Sequence, residues 1–488
     1  MTKLDQQISQ TLKKVADEQS IPSFEIPAAH ASRTSSKSGT RFPVFLLFPA
    51  TVIIALFLVS TLGTMVSPGI SAYMKSLFTE KGVDEGLQQA AKKGFAQAAG
   101  TYATDQGITL EVMEVMADSV RISIVYRLVD QAGNVLSPDQ LESYDVEITD
   151  LNGETVQNSY SLDSKYEKDY GYLIINNRIE TSDQKLILRL DTTQIGNAKG
   201  SWSVSVPFDI SKSTAVTTTI PLEETYITPQ GLQIKLTGIT HSVTATRLDY
   251  DTTWREEAFK NLEQVGEKFA EKFERTSSVR YLPFNHHLAF RVEREKDGSI
   301  VGEVESLSRG GHGKELGHSS RQAVYKPFIP EEKYYLVLDS ITKAEPFELS
   351  ISFDPKQVNK IPVKATKDGN VFQISAYGTG KRDRTEVTID AYVQGMIPHI
   401  DPQLLLLTDD KGRTYRFNGS SFDYFETDEK GRKHMQAILR VDGLIDPIPS
   451  KLTLNFYGIP RRYTNLDWRV LLPTSVLEQK LKQKTKNK

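Results

Sequence analysis

The chain contains no cysteine among its 488 residues. This absence excludes disulfide bonds, thiol catalysis and every zinc site that needs thiolate ligands. An excess of one charge is also missing, because 59 Lys and Arg nearly balance 62 Asp and Glu, which leaves a net charge of -3. Such a balance argues against a nucleic-acid partner. The composition, 39% hydrophobic and 25% charged, is that of a globular protein of roughly three domains.

One long segment lacks charge altogether. From Phe42 to Met74 there is no Asp, Glu, Lys or Arg. A helix over residues 44–66 would be roughly 34 Å long, enough to cross a hydrocarbon core of about 30 Å. A cleaved signal peptide would have a shorter apolar core and a shorter leader. We therefore predict a retained transmembrane helix over residues 43–66, in contact with the lipid bilayer.

The flanks of this segment predict its orientation. Arg33, Lys37 and Arg41 precede it, whereas the basic residues after it are mixed with acidic ones. Positive charge favours the cytoplasmic side of a membrane. We therefore predict a single-pass protein of the cell membrane, with residues 1–42 as a cytoplasmic tail and the C-terminal region outside.

The inner tail carries an apolar stripe. Leu4, Ile8, Leu12 and Val15 fall on one side of a helix that ends before Pro22. A helix this short is marginal on its own in water. These four residues are therefore candidates for binding a partner protein or the membrane face. The alternative is a frayed leader without function.

Residues 67–103 are predicted to form a membrane-proximal helical stalk that packs on the first outer domain. The prediction rests on apolar residues at spacings of three and four. They are Val83, Leu87, Ala91, Phe95 and Ala98.

Beyond the stalk the hydrophobic pattern changes to period two. The stretch Gly107–Leu128 consists of two alternating strings that meet at Ala117-Asp118-Ser119, which predicts a β-hairpin. A similar rhythm returns from Gly231 and from Asn370, and related closing strands end each repeat. We predict a mainly β fold with three tandem antiparallel β-sandwich (immunoglobulin-like) domains. They cover residues 104–212, 213–357 and 358–474, and a lysine-rich disordered tail over 475–488 follows.

The second domain is interrupted by a helical pattern over residues 253–275. Apolar residues including Trp254, Leu262 and Phe269 share one face. Thr253 and Glu256 form a capping box that predicts the start of the helix. Its expected role is to cover a sheet face or edge, and a partner-binding helix is the alternative.

Candidates for metal chemistry are few. Four of the eight histidines lie within residues 286–318 of the second domain. His286 and His287 would point to opposite faces of a strand. His312 and His318 lie in a Gly-rich stretch without the HExxH spacing of zinc enzymes. We therefore predict no metal site.

Other motifs indicate turns rather than catalysis. The stretch GTGKRDRT (Gly378–Thr385) lacks the spacing of a phosphate-binding loop and is predicted to be a hairpin turn. Residues 409–412, Asp-Asp-Lys-Gly, are turn residues without calcium-loop spacing. No GxSxG motif occurs, and no SxxK stretch stands out as catalytic. We expect no enzymatic activity and no cofactor.

The segment Gly82–Tyr126 resembles the start of the outer region in single-pass membrane proteins of Gram-positive spore formers, the family catalogued as domain of unknown function 4179. The residues that carry the resemblance lie in the stalk and in the first hairpin. They are Gly86-Leu87, Ala90, Gly94-Phe95, Asp105, Gly107-Ile108, Leu110, Val112 and Asp118 before Val120-Arg121-Ile122.

Several members of this family are encoded beside an extracytoplasmic-function sigma factor and are regarded as its membrane-bound negative regulator. The resemblance implies that residues around Leu4–Val15 hold a sigma factor in the cytoplasm, while the outer domains sense or brace at the envelope through an unidentified ligand. The common zinc-binding anti-sigma module needs a His and Cys cluster, but this tail has only His30. Binding would then depend on apolar helix packing. The alternative is a structural or adhesive envelope protein without a sigma factor.

Overall fold

The computed structural model describes part of the chain. The described residues are 76–80, 83–156, 161–176, 181, 183–273, 277–305, 316–380, 384–394, 400–441 and 443–474. All of them belong to one unit, Tyr73–Lys488. The predicted cytoplasmic tail, the predicted span and the lysine-rich tail lie outside the described residues.

The first region is built from two antiparallel sheets that share one apolar core. Its strands are β1 (Gln97–Asp105), β2 (Ile108–Ala117), β3 (Arg121–Asp130), β4 (Val135–Leu136), β5 (Ser143–Thr149), β6 (Ser161–Tyr166), β7 (Gly171–Asn176), β8 (Lys185–Ile195) and β9 (Ala198–Asp209). One sheet has the order β1-β2-β3-β7-β6, with β4 on β3, and the other is β5-β8-β9. Ile124, Leu188 and Trp202 are among the buried side chains between them.

Helix α1 (Glu85–Lys92) packs on the outer face of the larger sheet. Val83, Leu87 and Ala91 are buried there, as predicted for the stalk. The predicted length of the helix is wrong, however. Gly94 has a positive φ of 75°, which ends the helix because glycine adopts this conformation readily. The chain then continues as β1, so Ala98 lies in a strand.

The second region also combines two sheets. Its strands are β10 (Thr218–Pro221), β11 (Thr225–Ile227), β12 (Leu232–His241), β13 (Thr246–Trp254), β14 (His286–Arg294), β15 (Ile300–Val301), β16 (Glu303–Glu305), β17 (His318–Tyr325) and β18 (Tyr334–Phe353). Helix α2 (Ser211–Thr214) precedes them. One sheet has the order β10-β12-β13-β17-β16, with β11 on β12. The other begins with β15-β14-β18 and continues into the third region.

The remaining strands are β19 (Val363–Lys367), β20 (Asn370–Thr379), β21 (Thr385–Val393), β22 (Leu405–Asp409), β23 (Thr414–Thr427), β24 (Lys433–Val441), β25 (Leu452–Tyr463) and β26 (Arg469–Leu472), and all but β26 form the third region. From β18 the shared sheet continues in the order β25-β22-β23-β24-β21-β20-β19. Strands near both ends of this series contribute side chains to one core, such as Phe353 of β18 and Phe372 of β20. A mainly β fold of antiparallel sheets is thereby confirmed.

Strand β18 belongs to two regions at once. Its first part pairs with β14 and β26, and its second part pairs with β25. The final strand β26 returns to the second region, where Leu472 is buried in the core. The third region is therefore inserted between β18 and β26, which differs from the predicted tandem boundaries at residues 357 and 474. The pairing of Tyr334 with Leu472 is a long-range contact that no local pattern records.

The recurring rhythm of the sequence corresponds to a recurring hairpin. In β2–β3, β12–β13 and β20–β21 the first strand carries a bulge, between Val112 and Glu114, Leu236 and Gly238, and Ile374 and Ala376. Each bulge lies at the same distance after a glycine of positive φ. These glycines are Gly107, Gly231 and Gly369. Because bulges at fixed places are designed features of a fold, the three hairpins are structural repeats. The last one confirms the turn predicted for GTGKRDRT.

Helix α3 (Glu256–Lys272) covers the junction between the second and third regions. Its buried Leu262 joins the core of the second region, whereas Phe269 packs with Leu404 of the third. The predicted covering role is confirmed. The predicted start is wrong, because Thr253 is still part of β13 and pairs with His318. Sheet pairing thus outweighs the local capping signal. A short helix, α4 (Ser277–Tyr281), follows.

We predict that Leu472→Ala loosens the second region rather than the third. The truncation leaves a cavity beside Tyr334 and should lower the free energy of unfolding by about 3 kcal/mol. Amide hydrogen exchange measured by mass spectrometry should rise over residues 334–337. Leu439→Ala in β24 is the control, and its effect should stay in the third region. Unchanged exchange over 334–337 in Leu472→Ala would contradict the insertion.

Candidate functional site: a buried polar junction

The predicted partner-binding residues Leu4, Ile8, Leu12 and Val15 lie outside the described residues, so their role stays a prediction. No helix in the described part of the chain is long and apolar enough to cross a membrane. The predicted span over residues 43–66 lies outside that part.

The histidines of the second region occupy separate places. On β14, His286 is buried and His287 is exposed, which confirms that they face opposite sides of the strand. His318 contacts Thr253 at 2.8 Å, and His312 lies outside the described residues. Among the described residues no group of three or more His, Asp or Glu side chains could hold a metal ion.

His286 has a structural environment. Its Nδ1 lies 3.1 Å from the carbonyl oxygen of Phe284, and its Nε2 lies 2.9 Å from Oγ1 of Thr252. Because a carbonyl only accepts, Nδ1 carries the proton and Nε2 accepts from the threonine hydroxyl. Burial and the nearby charge of Arg321 lower the pKa of His286 to about 3. The ring is therefore neutral and holds two strands together.

The turn of the first hairpin forms a densely bonded polar site. Asp118 is fully buried at this turn. Its Oδ1 accepts hydrogen bonds from the backbone amides of Val120 and Arg121 at 2.8 and 3.1 Å. These bonds set the local turn. They leave Oδ2 free to reach the second region.

Oδ2 of Asp118 binds the turn of the second hairpin. It accepts from the Thr244 amide at 3.0 Å, from the Thr244 hydroxyl at 2.6 Å and from the Ser242 hydroxyl at 2.7 Å. These three donors, together with the two amides on Oδ1, fill the hydrogen-bonding capacity of the buried carboxylate. The two repeated hairpins therefore dock turn to turn through one carboxylate.

Arg121 adds the second half of the site. Its side chain is fully buried and donates two parallel hydrogen bonds to Asp84, at 2.9 and 2.8 Å. It also donates to the Thr244 carbonyl at 2.6 Å. Asp84 in turn caps α1 by accepting from the Leu87 amide at 3.1 Å. The guanidinium thus joins the helix, the first hairpin and the second region.

A glycine allows this close approach. A Cβ atom on Gly86 would lie 2.0 Å from the Thr244 carbonyl oxygen, far inside van der Waals contact. Beside it, Val120, Ala245 and Val324 form a small apolar cluster. We call the set of Asp84, Gly86, Asp118, Arg121 and Thr244 the polar junction.

The polar junction is suited to positioning rather than to catalysis. Both oxygens of Asp118 are already bonded, and its carboxylate is shielded from solvent. A buried ion pair with this geometry fixes orientation, because breaking it leaves an uncompensated charge. The site therefore acts as a clamp between the first two regions.

This clamp was not predicted from the sequence, although two signals were present. Gly86 and the Asp118 to Arg121 stretch carry the family resemblance, and the hairpin turn was placed correctly at Ala117-Asp118-Ser119. The partner residue Thr244 gave no local signal, since it lies 126 residues from Asp118.

Comparisons with known proteins agree with the resemblance in part. Residues 46–130 match the model of a family described as a domain of unknown function, DUF4179. No curated protein matches the chain. A solved structure, described as the crystal structure of the conserved domain protein from Bacillus anthracis, is similar at 13% identity with a TM-score of 0.36. That similarity covers 60% of this chain and 86% of the other. The family match contains Asp84, Gly86, Asp118 and Arg121 of the polar junction.

We predict that Asp118→Ala separates the first two regions. The change removes the acceptor of five donors and should lower the free energy of unfolding by about 3 kcal/mol. Urea unfolding followed by circular dichroism measures the loss. Asp150→Ala is a matched control, because Asp150 accepts the same kind of turn bonds from Asn152 and Glu154 but has no bond to the second region. Equal losses in the two variants would contradict the clamp.

Gly86→Ala tests the close approach separately. Alanine favours a helix over glycine by about 1 kcal/mol, yet the added methyl group must displace the Thr244 backbone. We expect a net loss of about 2 kcal/mol in the free energy of unfolding, measured in the same way. In Gly378→Ala, where no heavy atom lies within 4 Å of the new methyl, stability should hardly change. A stabilised Gly86→Ala protein would show that helix and loop are not in contact.

Proposed function

We propose that the chain is a membrane-anchored negative regulator, of the anti-sigma-factor kind, for an extracytoplasmic-function sigma factor. The observation that carries the proposal is the extent of the family match. It begins at residue 46, inside the predicted span, and ends at residue 130, where β3 ends. One family segment thus includes most of the predicted span and the first-region half of the polar junction.

The inner tail would supply the regulatory contact. The predicted tail helix has an apolar stripe of Leu4, Ile8, Leu12 and Val15. No other segment of the tail can cover this stripe. A groove on a sigma factor could bind such a stripe by helix-in-groove packing. With no cysteine in the chain, this contact would need no zinc.

The outer regions would sense or brace at the envelope. In the first region two sheets enclose one core, which supports a β-sandwich of the immunoglobulin-like kind. The three repeated hairpins support a common origin of the regions. We propose that these regions act in binding or in transmission of a signal.

A second candidate is a structural or adhesive envelope protein. The observation that favours it is the continuous strand β18, which joins the second and third regions into one body. A stiff β body is suited to spacing and adhesion. In that case the inner tail would be dispensable, and deletion of residues 2–20 would leave function intact.

We predict that Leu12→Asp releases a sigma factor. A charge on the apolar stripe should abolish the tail's packing, so that co-purification of the sigma factor from membranes is lost and transcription of its regulon rises. Gln10→Asp introduces the same charge on the opposite side of the helix and should have no effect. Normal abundance of both variants, checked by immunoblot, is required. Unchanged transcription in Leu12→Asp, or equal effects of the two changes, would favour the structural role.

A further inference from the structure

The starts of β14 and β17 lie beside each other on different sheets of the second region. Nε2 of His286 lies 2.9 Å from Oγ1 of Thr252, whose hydroxyl lies 2.7 Å from that of Ser319. Among the described residues, β15 and β16 pair only with the far ends of β14 and β17. This corner of the second region is therefore bounded by two edge strands.

Three side chains form a row on one face of the sheet at this corner. His287 on β14 pairs with Thr342 on β18, and Thr342 pairs with Arg462 on β25. Directly paired residues of antiparallel strands point to the same face. Because neighbouring strands lie about 4.8 Å apart, the Cα atoms of the histidine and the arginine are about 10 Å apart. The Thr342 side chain stands between them and is buried.

Arg321 brings a second guanidinium group from the other sheet. Its Nε donates to the Ser319 hydroxyl at 3.1 Å, which fixes the direction of the side chain. Its terminal nitrogens donate no hydrogen bond within the described residues. Burial and the charge of Arg321 lower the pKa of both His286 and His287. The guanidinium therefore lies near both rings.

The positive charge of this cluster is not balanced by an acidic group. The surrounding protein, Arg321 and Arg462 all lower the pKa of His287. Burial also lowers the pKa of Arg321, and only Tyr250 acts in the opposite direction. No carboxylate of the described residues acts on either pKa. The two guanidinium groups thus share one corner without a counter-charge there.

Arg462 shows the same lack of a partner. Its Nε is buried and has no hydrogen-bond partner, and it forms no ion pair within the described part of the chain. The carboxylate on the neighbouring row is already engaged, since Glu345 binds Lys343 at 2.7 Å and Arg461 at 3.0 Å. A buried polar group without an acceptor costs free energy. A bound anion would supply the acceptor.

We propose that His287, Thr342, Arg321 and Arg462 bind a phosphate group. Guanidinium groups match the geometry and charge of phosphate oxygens. The threonine hydroxyl and one imidazole N–H supply further donors. A carboxylate ligand fits less well, because its two oxygens would leave some of these donors unpaired. The proposal does not depend on a sigma-factor partner.

The direct test is isothermal titration calorimetry on the full chain in a maltoside detergent, which contains no phosphate. One titration uses inorganic phosphate and a second uses glycerophosphoglycerol, a phosphodiester, with sodium chloride holding the ionic strength constant. We expect one site with a Kd of about 1 mM or tighter for at least one of the two probes. Acetate is the control ligand and should bind at least about tenfold more weakly.

Substitutions locate the site. Arg321→Gln and Arg462→Gln should each raise the Kd about tenfold. Thr342→Val keeps the shape of the buried side chain and should raise it about threefold. The control is Arg189→Gln in the first region, where Arg189 pairs with Asp191, and its Kd should not change. Circular dichroism and the unfolding temperature establish that each variant is folded.

The two probes separate the sources of the phosphate group. Binding of both supports a site for free phosphate, and binding of the diester alone supports a site for a polymer that carries phosphodiesters. Absence of heat with both probes would overturn the proposal. Acetate binding as tight as phosphate, or the same Kd in the Arg462→Gln, Thr342→Val and Arg189→Gln proteins, would overturn it as well.

Discussion

The ion pair between Arg121 and Asp84, with the carboxylate of Asp118 beside it, is the interaction on which the arrangement of the first two regions depends. It joins a helix cap, a hairpin turn and a loop of the second region within one buried cluster. Apolar contacts at this place are few, since the neighbouring cluster is small. Directional bonds to charged groups therefore set how the first two regions meet.

The other junction of the body is made differently. The second and third regions share β18 and are covered by α3, so backbone pairing and apolar packing hold them together. A continuous strand is stiff along its length. The result is a body with one junction made by charged groups and one made by a sheet.

Local pattern predicted the parts of the fold that local physics determines. The alternation of apolar and polar residues predicted the β2–β3 hairpin and its turn, because successive side chains of a half-buried strand point to opposite faces. The stalk was predicted too long, since β1 has small and polar residues such as Ala98 and Thr101 that hide its alternation. The helix start predicted from the capping box at Thr253 is wrong, because Thr253 belongs to strand β13 and pairs with β17. The return of β26 and the partnership of Asp118 with Thr244 depend on contacts distant in sequence, which no local window contains.

The central claim is that the polar junction makes the first two regions one rigid body. It is tested most directly by the distance between two spin labels, measured by pulsed electron resonance. Cysteines replacing the exposed Glu154 and Lys296 supply the labels in a chain that has no other thiol. The account predicts a single narrow distance distribution that broadens in Arg121→Ala. A broad distribution in the unaltered junction, or a narrow one that survives Arg121→Ala, would contradict it.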